Sequence, residues 1–124
     1  MKENWLKNFL SSCARTPLGG EILGWIITHL SAVLPLDRLR ETDTLLAFWH
    51  PAPVYATHIL IVPKRRYQSL LELNIDDVAF MGDLFKTVQS LVDELALDDG
   101  GYRLIVNGGN YQDVKHLHFH LIVE

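Results

Sequence analysis

Apolar and polar positions fall into six patterned stretches along the chain, two with the period of a helix and four with that of a strand. Ile22, Trp25, Ile26, His29, Leu30 and Val33 recur at helical spacing, which predicts a helix over residues 21–34. Pro35 stops it, and Thr16-Pro17-Leu18-Gly19-Gly20 breaks the chain ahead of it. Residues 44–49 and 57–62 are short β-rich runs, closed by Pro51-Ala52-Pro53 and by Pro63. A longer periodic stretch follows. Asn74 is placed to cap a helix reaching about residue 97, and Asp76 and Asp77 suit its positive end. Val78, Met81, Phe85, Val88, Val92 and Leu95 trace its buried stripe. Asp98-Asp99-Gly100-Gly101 then turns the chain into two further strands, residues 102–106 and 117–123, joined by a glycine-containing loop from Asn107.

Strands separated by one helix and then paired across a short loop predict an α+β fold with a largely antiparallel sheet. So few short strands make a modest core, and a homodimer is the expected way to bury more of it. Composition narrows the class. With 124 residues, 48% hydrophobic and 21% charged, the chain can build one core and lacks the signature of disorder. Its 15 acidic against 11 basic residues, net −4, leave no basic footprint for a nucleic acid polymer. The charge is uneven: residues 1–40 carry 5 bases and 3 acids (+2), and residues 41–124 carry 6 and 12 (−6). Cys13 alone can form neither an internal disulfide nor a multi-cysteine zinc site. The most apolar run, residues 22–36, is broken by His29, Ser31 and Pro35 and falls short of the roughly 20 residues that span a bilayer. Without a recognisable leader at the start, a cytoplasmic location is expected, and membrane contact by the N-terminal helix is not.

The chemistry concentrates at the C-terminal end, in His116-Leu117-His118-Phe119-His120-Leu121-Ile122-Val123. Strand side chains alternate, so His116, His118 and His120 share one face while Leu117, Phe119 and Leu121 turn to a core. Packing explains the apolar set and leaves the imidazoles unexplained. Three neutral imidazoles can bind a metal, supply a nucleophile with proton donors beside it, or hold an anion. Strand residues two apart lie roughly 6.5 Å apart, which makes three successive ligands on one metal awkward. The preceding loop, Asn107-Gly108-Gly109-Asn110-Tyr111-Gln112, offers glycine backbone N–H groups and side-chain amides, as a phosphate site would. Taken singly, His29 reads as a packed helix residue and Lys64-Arg65-Arg66 as a solvated strand end.

The alternating histidines fit the pattern His-φ-His-φ-His-φ-φ, with φ apolar. Upstream stand Leu46-Ala47-Phe48, Ala56-Thr57-His58-Ile59-Leu60-Ile61-Val62-Pro63-Lys64 and Gly101-Tyr102-Arg103-Leu104-Ile105-Val106-Asn107. Together these segments resemble the core of the histidine triad nucleotide-binding superfamily. The resemblance implies a catalytic domain over residues 41–124, preceded by a helical extension over residues 1–40. It implies an α+β fold with an antiparallel sheet of about five strands, one long helix and commonly a homodimer. It also implies a hydrolase or transferase acting on a small-molecule nucleotide at the α-phosphate, of the phosphoramidase or dinucleoside polyphosphate hydrolase type. In that reading His118 is the nucleophile, His116 and His120 flank it, and His58 is a fourth pocket histidine. Asn107, Gly108, Gly109 and Gln112 would form the phosphate loop, with no metal or other cofactor. Two positions depart from the pattern: His50 stands where an acidic residue holds the ribose, and Asp113 where a serine assists the leaving group. Those departures feed an alternative, a binding or regulatory module of the same fold with low turnover.

Overall fold

In the computed structural model residues 37–124 are described, so the helix expected over residues 21–34 and most of the N-terminal extension lie outside the described residues. Five strands, β1 (Arg38–Glu41), β2 (Leu45–Trp49), β3 (Thr57–Pro63), β4 (Arg103–Val106) and β5 (Phe119–Val123), form one sheet. Their order is β1-β2-β3-β5-β4, and every pairing is antiparallel. This is the α+β architecture expected, with a fifth strand that the hydrophobic pattern did not register. Arg38-Leu39-Arg40-Glu41 carries a single apolar side chain, Leu39, which packs on the core. The strand is held by pairing to β2 rather than by its own composition. It takes the sheet upstream of residue 41.

The one long helix, α1, spans Val78–Glu94 and covers one face of the sheet. Its start is later than the sequence suggests. Asn74 instead closes a turn onto Asp76 N–H (2.9 Å), and Asp77 caps the helix by accepting from Phe80 N–H at 3.2 Å. The buried stripe is also rotated from the one expected. Phe80, Leu84, Thr87, Val88 and Leu91 face the sheet, whereas Val78 and Phe85 are 72% and 58% exposed. Met81, Val92 and Leu95 lie at the edge of the contact. Two apolar sets of similar quality run along this helix, and only the sheet decides which one is buried. Ala96, in a left-handed conformation (φ 53°), ends the helix and tucks Leu97 into the core.

The sheet has two apolar faces. Under the helix lie Leu45, Ala47, Ile59, Ile61, Leu117, Phe119 and Leu121. Each such burial is worth about 1.5–3 kcal/mol against exposure for the larger side chains. The opposite face carries a smaller cluster of Leu46, Phe48 and Val62, with Leu60 and Val114 beside it. Among the described residues no helix is long and apolar enough to cross a membrane.

Candidate active site

Imidazoles gather on the face away from the helix. In the β3–β5 ladder Leu60 opposes His120 and His58 opposes Ile122, so His58 and His120 are diagonal neighbours on one face. Their ring centroids are 5.2 Å apart. His118 lies just ahead of β5 with its ring edge-on to His120 at 5.0 Å. His50, directly after β2, stacks on His58 at 4.2 Å with 27° between the planes. The four rings thus form a continuous row, His118, His120, His58, His50. His116 stands apart from it: its side chain is 3% exposed and its Nε2 lies 3.0 Å from the Pro63 carbonyl oxygen.

Backbone partners assign the ring protons, because an amide N–H can only donate and a carbonyl can only accept. Ala52 N–H donates to His50 Nδ1 (2.9 Å), and Val54 N–H donates to His58 Nδ1 (3.3 Å). Each of these neutral rings therefore carries its proton on Nε2. The His58 Nε2–H donates to His120 Nδ1 at 2.9 Å, which in turn leaves the His120 proton on Nε2. That last nitrogen is buried and has no partner among the described residues. His118 has the opposite arrangement. Its Nδ1–H donates to the His116 carbonyl (2.7 Å), so its Nε2 holds a lone pair. The row thus ends in an orphan N–H donor on one ring and a free lone pair on the next.

Electrostatics keep the row uncharged. Burial, and then the nearby His58 and His118, push His50 down to about 4. Burial and the neighbouring imidazoles likewise push His120 down to about 4. His58 is lowered by burial and by His118. His116 is lowered mainly by burial, against its hydrogen bond to Pro63. His118 is lowered by burial, opposed by its bond to the His116 carbonyl and by the Asp113 carboxylate. At neutral pH the His118 lone pair is therefore available.

The segment that presents these rings is pinned from below. Leu117 N–H donates to the Tyr67 carbonyl at 2.8 Å, between His116 and His118. The Tyr67 hydroxyl donates to Asp77 at 2.7 Å, tying that anchor to the cap of α1. Gln112 is buried and donates its amide to the Gln68 carbonyl at 2.6 Å, so it braces the loop next to the same anchor. Gly109 takes a left-handed φ of 58° in the short turn Gly109–Tyr111, a conformation that a side chain would strain. Lys115 donates to the Gln112 carbonyl at 3.1 Å and closes the loop toward the histidines.

The HIT domain family model matches residues 31–124 of this sequence. The chain belongs to the HIT domain family. It is 38% identical over 91 residues to a HIT-like protein of Synechococcus elongatus, covering 72% of this chain and 79% of that one. A histidine triad protein from Clostridium difficile superimposes with a TM-score of 0.71 at 32% identity, over 82% of this chain and 87% of the other. A HIT family hydrolase from Legionella pneumophila does so with a TM-score of 0.71 at 28% identity, over 79% and 89%.

Of the site residues expected from the sequence of this HIT protein, the structure brings His50, His58, His118 and His120 into contact. His116 contributes its backbone carbonyl to His118 and turns its ring to Pro63. Asp113 lies close enough to act on the His118 charge. Among the described residues, no hydrogen bond or ring contact joins Asn107, Gly108 or Gly109 to the imidazoles, and Gln112 faces Gln68. No group of three or more His, Cys, Asp or Glu side chains among them is arranged to hold a metal ion. The Ala52 and Val54 amides, the Pro63 and Tyr67 carbonyls and the Tyr55 ring against His58 (5.1 Å) carry no side-chain signature that sequence reasoning could have found, Tyr55 excepted.

Proposed function

We propose that this HIT protein is a nucleotide hydrolase or transferase working at the α-phosphate through a nucleotidyl-histidine intermediate on His118. The observation that carries it is the pairing of a free Nε2 lone pair on His118 with an orphan Nε2–H donor on the adjoining His120. In the first step His118 Nε2 attacks the α-phosphorus. The N–P bond forms, the bond to the leaving group breaks, and the leaving group departs with the bonding pair and takes up a proton from solvent. His120 Nε2–H donates to a non-bridging phosphate oxygen, a fixed dipole where negative charge builds. In the second step water attacks phosphorus and releases a proton to solvent, the N–P bond breaks with its pair returning to His118 Nε2, and nucleoside monophosphate leaves. Similarity to the Legionella pneumophila HIT family hydrolase supports the reaction class. Asn107, Gly108, Gly109 and Gln112 form the loop closing over the phosphate in this reading, a cytoplasmic protein is its setting, and no metal takes part. β4, the strand at one edge of the sheet, is the edge on which a second copy would continue it as a homodimer.

Incubation with a nucleoside 5′-phosphoramidate and with a dinucleoside polyphosphate tests the proposal by release of nucleoside monophosphate. A second reading, a nucleotide-binding module of low turnover, is favoured by Asp113, whose carboxylate supports the protonated, non-nucleophilic form of His118. Tight binding of nucleoside monophosphate without turnover of either substrate would select it.

A further inference from the structure

The peptide that joins His116 to Leu117 is hydrogen-bonded on both sides. Its carbonyl accepts the Nδ1–H of His118 at 2.7 Å, and its N–H donates to the Tyr67 carbonyl at 2.8 Å. In a planar trans peptide those two groups point in opposite directions, so the pair of bonds fixes the plane. Hydrogen bonds in series also polarise one another, and donation to Tyr67 makes the His116 carbonyl a stronger acceptor for His118. The ring that attacks in the proposed reaction is therefore aimed by a carbonyl two bonds removed from it.

Tyr67 is itself held at three points. Its ring is buried in the core beneath α1, and its N–H donates to the Arg65 carbonyl at 3.1 Å. Its hydroxyl leaves the core and donates to Asp77 Oδ2 at 2.7 Å. A phenyl ring would satisfy the packing, so the hydroxyl adds direction rather than volume. Asp77 uses its other oxygen to cap Phe80 N–H at the start of α1. The Tyr67 hydroxyl is the main influence holding that carboxyl below its usual range, as befits a charge-assisted bond. Arg65 closes the group, 3.3 Å from the hydroxyl and 3.5 Å from the carboxylate. The next residue doubles the grip: the Gln68 carbonyl accepts the Gln112 amide at 2.6 Å, and the Gln68 N–H donates to Glu72 at 2.9 Å. Two consecutive carbonyls thus hold both ends of residues 112–117, the stretch that leads into His118.

We propose that Tyr67 is a positioning residue for the nucleophile, its hydroxyl on Asp77 fixing, through its own carbonyl and the His116–Leu117 peptide, where His118 points. This rests on the α-phosphate reading above. Among the described residues no hydrogen bond joins Tyr67 to an imidazole, so it acts through the peptide alone. A rotation of that plane carries the His118 ring with it, and in-line attack on phosphorus tolerates little displacement.

Tyr67→Phe in the full chain tests this, since it keeps the buried ring and removes only the hydroxyl. With a nucleoside 5′-phosphoramidate, kcat/KM is expected to fall about three- to tenfold. Amide hydrogen exchange reads the position separately from turnover. Relative to the Leu121 amide within β5, the Leu117 amide is expected to exchange about tenfold faster than in the wild type. The His118 Nδ1–H resonance in 15N spectra is expected to broaden as its carbonyl partner loosens. Leu91→Ala loosens the core beneath α1 without touching this chain of bonds. It is expected to leave kcat/KM of the folded fraction near wild type, and the Leu117 amide no faster relative to Leu121. An unchanged kcat/KM or an unchanged exchange ratio in folded Tyr67→Phe overturns the assignment and leaves the proposed reaction standing. Equal losses in Leu91→Ala overturn it too, because the hydroxyl would then serve the core alone. If the wild type turns over neither the phosphoramidate nor a dinucleoside polyphosphate, the α-phosphate reading falls, and the exchange ratio still decides whether Tyr67 holds the peptide. Should Tyr67→Phe fail to fold, the wild type decides: protection of Leu117 comparable to Leu121 upholds the assignment, and exchange at the rate of an open loop overturns it.

Discussion

The two faces of the sheet are drawn from the same strands and serve different ends. Beneath the helix, Leu45, Ala47, Ile59, Ile61, Phe119 and Leu121 meet Phe80, Leu84, Val88 and Leu91 in an apolar core. On the other side, Leu46, Phe48 and Val62 make a small apolar base, and the next positions outward are imidazoles. The helix face needs only volume and hydrophobicity, which many side chains can supply. The histidine face needs the ring nitrogens aimed, and four of the five rings are aimed by a backbone group, Ala52, Val54, the His116 carbonyl and the Pro63 carbonyl, while His120 is aimed by His58. Stability and chemistry are therefore separable by face, although Phe119 and His120 are adjacent in one strand.

The largest break in that comparison is expected from His118→Ala. It should lower kcat by about a thousandfold or more while thermal unfolding moves by only a few degrees. A comparable loss of stability would show that the histidine face is structural. The converse substitution is Leu91→Ala, on the helix face. It should cost about 2–5 kcal/mol in urea unfolding and leave kcat of the folded fraction near wild type. Phe85→Ala, on the exposed side of the same helix, should cost far less, which checks the rotation of the buried stripe.

Acid sharpens the contrast further. His50 and His120 ordinarily titrate near 6.5 but are pushed down to about 4 in the folded chain. Above pH 6.5 both states are neutral and stability is flat. As pH falls from there toward 4, the unfolded chain takes up protons that the folded one refuses, so stability is lost over that window. Scanning calorimetry should show Tm falling by about 5 °C or more from pH 7 to pH 5, and the fall should shrink in His50→Phe. A Tm independent of pH would mean that these rings are not held neutral. A modest effect on both stability and binding is expected at the anchor between the faces. Asp77→Ala removes the helix cap and the Tyr67 partner, and should lower stability by about 1–2 kcal/mol with a modest rise in KM.

Only the C-terminal part of the helix face could be read in the sequence, because alternation from Leu117 through Leu121 translates directly into an inner and an outer set, whereas β2 and β3 are continuous apolar runs whose faces the pattern does not separate. Leu117, Phe119 and Leu121 are buried as their spacing indicates. Where the pattern was degenerate it misled. Phe85 and Leu84 are adjacent apolar residues on one helix, and the choice between them is made by the sheet, not by the helix. β1 escaped notice because it owes its existence to a partner strand. On the histidine face the spacing pointed to His116, His118 and His120 alike, and the family resemblance pointed to His58 and His50. The spacing did not show that His116 turns aside to Pro63, or that Gln112 is a brace, since both depend on carbonyls brought from distant segments. Tautomers were invisible for the same reason.

The central claim is the covalent step at His118, and trapping tests it most directly. The full chain is mixed with a nucleoside 5′-phosphoramidate labelled at the α-phosphate, quenched without acid, digested and sequenced by mass spectrometry. The account predicts the label as a nucleotidyl group on His118, absent from His118→Ala. Turnover with no protein-bound label, or a label on another histidine that persists in His118→Ala, would contradict it.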